Sequence, residues 1–280
     1  MKTINPKDVS TGAFHRNMLG AVAPRPIAFA STIDKDGNVN LSPFSFFNAF
    51  SANPPVMVFS PARRVRDNTT KHTLENVLEV PEVVINIVTY NMVEQMSLSS
   101  TEYPKGINEF LKSGFTELPS ETIKPPRVAE SPAQFECKVI DIIQLGNEGG
   151  AGNLIVCEVQ RAHFSEDILD ESGIVDTLKL DPVGRMGGNW YVRANGDALF
   201  EVEKPLTTLG IGIDKLPQEI KESPILTGNN LGKLANVEKI PTLEELEQVQ
   251  SFTVSGHPHD LARTLLDGDK IMEAWKVLLT

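Results

Sequence analysis

Apolar and polar positions alternate most clearly between Arg25 and Asn48, where the chain reads RPIAFASTIDKDGNVNLSPFSFFN. Ile27 and Phe29, then Val39 and Leu41, stand at period two on either side of Asp34 to Asn38. That is the pattern of a β-hairpin whose turn places Gly37 and Asn38 at positive φ. The first strand runs into two adjacent hydroxyls, Ser31 and Thr32. The second runs into Ser42-Pro43-Phe44-Ser45-Phe46-Phe47-Asn48, where Pro43 is expected to break the ladder and free backbone groups to face outward. Further strands are expected at Val56 to Phe59, at Glu82 to Val88, and in two long runs, Phe135 to Leu145 and Asn153 to His163. A glycine-rich stretch, Gly146 to Gly152, joins the last two. Helical spacing is short and scattered: Pro6 to Leu19 with Ser10 or Thr11 as caps, Asn91 to Ser99, and one turn at Asn108 to Ser113. Six or so strands with so little helix between them predict a mainly β fold with helices, an antiparallel closed or half-closed barrel.

After Lys204-Pro205 the pattern changes. Glu244 to Val249 and Asp260 to Leu279 are spaced as helices, with Leu261, Leu265, Ile271, Trp275 and Leu278 along one face. The expected organisation is a barrel domain over residues 1–204 and a helical C-terminal extension over 205–280, packed on the barrel or on a second subunit.

Composition narrows the partners. The 280 residues are 40% hydrophobic and 22% charged, which is ordinary for a globular chain. A net charge of −11 argues against nucleic acid or an anionic membrane as the main partner. Cys137 and Cys157 each share a strand face with apolar neighbours, so two buried thiols in a reducing cytosol are expected rather than a disulfide. The apolar run near the start is cut by Pro24 and Pro26, so neither export by a standard signal nor a membrane span is expected, and the expected location is cytoplasmic.

Against this acidic whole, Arg63, Arg64, Arg66 and Lys71 fall close together, interleaved with Asn68, Thr69, Thr70 and Thr73. A lysine, hydroxyls and loop amides make a cradle for a phosphate or other dianion; the alternative is a solvated loop whose arginines pair with surface carboxylates. In Asp181 to Tyr191, Gly187 and Gly188 follow Arg185, and Trp190 and Tyr191 either cover a flat ligand or plug the barrel end. His163 ends a strand, either satisfied there or pointing into a pocket mouth, and His257-Pro258-His259 reads as a surface loop without a third metal ligand. No nucleophile elbow, Walker loop or dinucleotide glycine fingerprint is present, so no catalytic side chain and no metal site are expected. That absence favours a cofactor that carries the chemistry itself.

Together, Arg25-Pro26-x-Ala28-x-x-Ser31-Thr32 and Gly37-x-x-Asn40-Leu41-Ser42-Pro43-Phe44-Ser45-Phe46-Phe47 resemble the flavin reductase-like, FMN-binding split-barrel family that includes flavoredoxin. Asn53-Pro54-Pro55-Val56-x-x-Phe59-Ser60, Lys71-His72-Thr73-x-x-Asn76 and Arg185-Met186-Gly187-Gly188-x-x-Tyr191 extend the resemblance, in the family's order, over about residues 10–200. It departs at His72, where the family often has aspartate, and in the longer Arg63 to Thr70 loop. The resemblance implies a split-barrel homodimer with FMN near the interface. Ser31 and Thr32 would contact its ribityl or phosphate end, and Lys71, His72 and Thr73 its phosphate. Ser45, Phe46, Phe47 and Asn48 would line the ring edge, with Ser60 and Arg185 also at the cofactor. His163 and Tyr191 would face the substrate. The implied activity is hydride transfer from NADH or NADPH to FMN and on to a small-molecule or protein acceptor. Two alternatives are a flavin-binding electron-transfer carrier not reduced directly by NAD(P)H, and a barrel scaffold working through a partner-binding tail.

Overall fold

The computed structural model describes residues 1–280 and divides into two compact units, Met1–Phe200 and Glu201–Thr280. In the first unit, a helix, α1 (Thr11–Ala21), capped by the Ser10 hydroxyl, precedes the hairpin β1 (Ala28–Ile33) and β2 (Val39–Phe44). Strands β3 (Phe47–Ala52) and β4 (Pro55–Phe59) form a second hairpin. Helix α2 (His72–Glu79) leads into β5 (Glu82–Ile87), and α3 (Val93–Leu98) and α4 (Glu109–Ser113) follow. The short pair β6 (Glu117–Leu118) and β7 (Arg127–Val128) precedes the long strands β8 (Ala133–Gln144) and β9 (Asn153–Phe164). Helix α5 (Thr177–Leu180) and the pair β10 (Val183–Arg185) and β11 (Tyr191–Arg193) close the unit.

Seven strands make one antiparallel sheet in the order β2-β1-β5-β8-β9-β4-β3. Its ends are drawn together: the Phe44 ring on β2 lies 5.4 Å from the Phe59 ring on β4, and the Ser60 amide donates to the Phe46 carbonyl. The sheet is therefore a half-closed barrel. Its interior is packed by Ala28, Ala30, Phe44, Phe59, Ile85, Cys137, Ile155 and Cys157, with Leu74 and Val77 of α2 against them. A second cluster, including Phe29, Leu41, Met96, Phe110 and Val128, covers the opposite face of β1 and β2. Both cysteines are free and buried.

The sequence pattern assigns no element to residues 72–79, which form α2. Two local expectations need correction. The ladder runs through Pro43, which stands opposite Phe29, because β2 is an edge strand and tolerates a residue without N–H; the chain bends only at Ser45 and Phe46. In the hairpin turn only Gly37 has positive φ, at 89°. Asn38 acts through its amide, which donates to Asp34 Oδ2 at 2.9 Å.

The second unit packs α6 (Gln218–Lys221), α7 (Gly228–Ala235), α8 (Leu243–Glu247), α9 (Pro258–Asp267) and α10 (Ile271–Leu279) around fully buried Trp275, Leu234, Leu246 and Leu266. The run expected as helix from Asp260 to Leu279 is two helices, broken where Asp269 adopts φ 57°. His257 is exposed and ends the loop as the cap of α9, its Nδ1 accepting the His259 amide, whereas Pro258 and His259 lie within the helix. No helix is long and apolar enough to cross a membrane.

Candidate functional site

A cleft in the first unit is lined by Asn40 and Ser42 of β2, by Arg64, by Lys71, His72 and Thr73 at the start of α2, and by the loop Ser99 to Tyr103, with Glu109 beside it. It exists because β2 is an edge strand and α2 begins beside it. Lys71 is the residue before α2, and the first bonds of the helix reach the Lys71 carbonyl from Leu74 and Glu75. The N–H groups of His72 and Thr73 precede those bonds and lie at the positive end of the helix, an arrangement suited to an anion.

The basic loop is built rather than loose. Arg63 is consumed internally, its Nε and Nη2 donating to Oδ1 and O of Asn68, while its backbone pairs with Ala151 and Gly150 of the β8–β9 turn. A Cβ on Gly149 would stand 3.0 Å from the Val65 carbonyl oxygen, so that turn needs glycine to lie against the loop. Arg64 Nη1 donates to Thr69 Oγ1 at 2.9 Å and to the Thr70 carbonyl, which leaves its Nε turned toward Glu102 Oε1 at 3.1 Å. Lys71 Nζ lies 3.7 Å from the same oxygen. Burial, and then the Arg64 charge, lower the Lys71 pKa, with Glu102 opposing them. Burial also holds His72 below the usual imidazole range, so it is neutral at neutral pH. Burial raises the Glu109 pKa, although its carboxylate accepts the Leu41 amide at 3.0 Å.

Beneath the cleft, Asn40 Nδ2 donates to Thr73 Oγ1 at 3.0 Å and Asn76 Nδ2 to Thr32 Oγ1 at 3.2 Å. Ser31 and Thr32 are both fully buried, and the period of two sends them to opposite faces of β1. Thr32 lies under α2, whereas Ser31 shares the face of Phe29 and Leu41, and its hydroxyl has no partner. The adjacent hydroxyls are therefore not brought together. Ser60 is buried, and its hydroxyl accepts the Asn153 amide at 3.1 Å.

From the cleft, β2 leads over roughly 10 Å from Ser42 to Ser45. At this corner stands a residue that sequence reasoning did not single out as functional. Arg25 is buried and donates from Nη1 to the Leu19 and Val22 carbonyls at 2.7 and 2.5 Å, and from Nη2 to the Met186 carbonyl at 3.0 Å. Its Nε reaches Ser45 Oγ at 3.4 Å, and its backbone pairs with that of Arg185. The end of α1, the β2–β3 bend and the Arg185 to Tyr191 hairpin are thus tied to one guanidinium. Burial lowers the Arg25 pKa, and the nearby Arg185 adds to this. Arg185 stacks 4.5 Å over the Tyr191 ring, and Phe46 meets His15 edge-on at 5.9 Å. Phe47 packs partly against the barrel core, and Asn48 is exposed on β3.

His163 lies elsewhere. It pairs in register with Gln134, while Asn153, at the cleft end of the same strand, pairs with Gln144. Ten residues of β9 separate the two ends by roughly 30 Å. There His163 Nε2 lies 2.8 Å from Glu136 Oε1, beside a polar pocket shared with Arg127, Gln134 and Ser165. Burial works to raise the Glu136 pKa, but hydrogen bonds from Thr122, the Glu121 amide and His163 hold it at about 2. One chain therefore gathers Thr32, Lys71, His72 and Thr73 at the cleft and Ser45, Phe46, Arg185 and Tyr191 at the adjoining corner, and leaves His163 apart.

Comparison with known proteins follows the same division of the chain. The family model described as flavin reductase like domain matches residues 19–180. An uncharacterized protein of Halalkalibacterium halodurans is 40% identical over 204 residues, covering 72% of this chain and 96% of that protein. Nitrilotriacetate monooxygenase component B from Bacillus cereus is similar in structure, with a TM-score of 0.67 and 29% identity over 72% of this chain and 98% of its own. Pseudomonas fluorescens 2-nitrobenzoate 2-nitroreductase has a TM-score of 0.65 and 28% identity over 75% and 100%. Solved split-barrel flavin reductases and flavoredoxins share the fold.

Proposed function

Because the chain belongs to the flavin reductase-like family, we propose that it is an FMN-binding oxidoreductase that takes hydride from NADH or NADPH and passes electrons to an acceptor. The observation that carries the proposal is the cleft where Lys71, Arg64 and the open end of α2 converge. Its donor set fits a phosphate: two cations, two amides at the positive end of a helix, and the Ser42 hydroxyl. Neutral His72 in place of the family's frequent aspartate spares the cradle a negative charge.

In this assignment Lys71, Arg64 and the His72 and Thr73 amides hold the phosphate, and Ser42 to Asn48 run along the rest of the cofactor. Bound FMN would supply the two-electron redox chemistry. The protein's part is to bind, orient and exclude water. Arg25 fixes the Ser45 bend, and amides of Ser45 to Asn48 that face the ring edge would stabilise the charge that builds there. The distance of His163 from the cleft of its own chain supports a homodimer in which His163 serves a partner's site, while Tyr191 stays beside Arg185 at the corner of its own. The two free thiols fit a reducing, cytoplasmic setting. A small nitroaromatic or a partner oxygenase is the proposed acceptor class, by analogy with the two structural relatives. Residues 205–280 are read as a helical extension outside the flavin-binding domain.

The test is the visible spectrum of the purified protein before and after anaerobic NADH and NADPH, with Lys71→Ala alongside. Flavin bands that bleach support the oxidoreductase. Bands that persist support the electron carrier. Lys71→Ala is expected to weaken FMN binding about 10- to 100-fold, one charge-assisted hydrogen bond; undiminished affinity removes the cradle assignment.

A further inference from the structure

We infer that Glu102 is a built-in occupant of the anion cradle, which an incoming phosphate must displace, and that this residue limits the protein's preference for a phosphorylated over an unphosphorylated flavin. The inference rests on the FMN reading above. Arg64 Nε, Arg66 Nη2 and Lys71 Nζ all meet the one Glu102 carboxylate. That carboxylate lines the same cleft as the start of α2.

Glu102 could instead be a scaffold that holds the arginines in place. The hydrogen bonds decide against this. Arg64 is fixed by its own loop, through Nη1 to Thr69 Oγ1 and to the Thr70 carbonyl, whether or not Glu102 is present. Lys71 is the first residue before α2, so its backbone is set by the helix. What Glu102 engages is the remaining donor, Arg64 Nε, together with the Lys71 ammonium and, from the solvent side, the exposed Arg66. Those are the groups a phosphate needs.

The contact is also one that can open. The Glu102 side chain is 36% exposed, and exposed ion pairs are weak. The backbone bonds of its loop are turn bonds, from Ser100 to Ser97, Thr101 to Leu98 and Tyr103 to Thr101. A phosphate dianion carries more charge than a carboxylate and also accepts from the helix amides that Glu102 does not engage, so it wins the exchange. Affinity is lowered by the cost of releasing Glu102, and only for ligands that bear the phosphate.

The experiment compares FMN and riboflavin binding to the full chain by flavin fluorescence quenching, in wild type, Glu102→Gln and Lys71→Ala. Glu102→Gln is expected to tighten FMN about tenfold, which corresponds to ~1.4 kcal/mol, and to leave riboflavin unchanged. Inorganic phosphate is expected to compete with FMN at lower concentration in Glu102→Gln than in wild type. FMN affinity that is unchanged or weaker in Glu102→Gln, while Lys71→Ala still loses FMN selectively, overturns the inference and makes Glu102 a scaffold. Equal binding of FMN and riboflavin by wild type and Lys71→Ala would instead remove the cradle on which it rests.

Discussion

Replacing Arg25 by methionine removes the guanidinium that ties α1, the β2–β3 bend and the Arg185 hairpin together, while keeping an unbranched side chain of similar reach. Three carbonyls, Leu19, Val22 and Met186, lose their donor. The Leu19 and Val22 carbonyls lie at the end of α1, where intrahelical donors have run out. A hydrogen bond from a charged donor is worth about 1.5–3 kcal/mol, but the Val22 and Leu19 ends are partly open to water, which takes over some of the loss. About 3 kcal/mol in all is the expected destabilisation. With an m-value of about 2–3 kcal/mol/M, that moves a urea midpoint down by about 1–1.5 M. The readout must report the barrel alone. Cys137 and Cys157 provide it: both lie in the barrel core, where burial pushes Cys137 up to about 12 and raises Cys157 well above the ordinary thiol range. Labelling by a thiol reagent near pH 8 therefore requires the barrel to open, since an exposed thiol titrates near ~8.5. Arg25→Lys keeps the charge but not the fork, and is expected to recover about half of the loss. A midpoint shift below about 0.3 M for Arg25→Met would show that the corner does not depend on the guanidinium.

Acid stability is expected to turn on Glu136. Its folded pKa of about 2 lies below the ordinary 4.5, so its contribution, about 3 kcal/mol, is complete above pH 4.5 and lost as pH falls toward 2; Glu136→Gln should be less stable at pH 7 and should flatten the fall in amide-exchange protection of β8 and β9 between pH 5 and 2. Gly149→Ala places a Cβ against the Val65 and Arg64 carbonyls at 3.0 and 3.1 Å and is expected to cost about 1–3 kcal/mol and to weaken FMN binding by shifting the basic loop, both checked by titration of the purified variant. Trp275→Ala removes a fully buried side chain from the helical unit and is expected to cost about 3–5 kcal/mol there, seen as lost amide-exchange protection in α10.

The barrel strands were legible because each carries a simple burial rule. The β1–β2 hairpin alternates, while Val56 to Phe59 and the run beginning at Glu82 are short apolar runs; all of these appear as strands within a residue or two. Helix α2 was not, and the reason is the same chemistry that makes it useful. Two of the four residues it buries are polar, Thr73 and Asn76, so the apolar stripe shrinks to Leu74 and Val77 and the segment looks like loop. Those polar residues bond Asn40 and Thr32 on the sheet and so set the helix start at the cleft. The identity of Lys71 and Thr73 as candidates could be read from residue type; the helix end that makes them an anion site could not. Arg25 shows the same limit. It stands in the sequence as one residue of a motif, and its three carbonyl partners include Met186, distant in the chain and brought near only by folding. Glu102 had no signal at all, since a single glutamate after Ser-Ser-Thr is unremarkable until the fold sets it against Arg64 and Lys71. Strand patterns follow from burial, a property each residue carries with it. Sites follow from which polar groups are left over once the strands and helices have paired, and that remainder is decided only when the chain is closed.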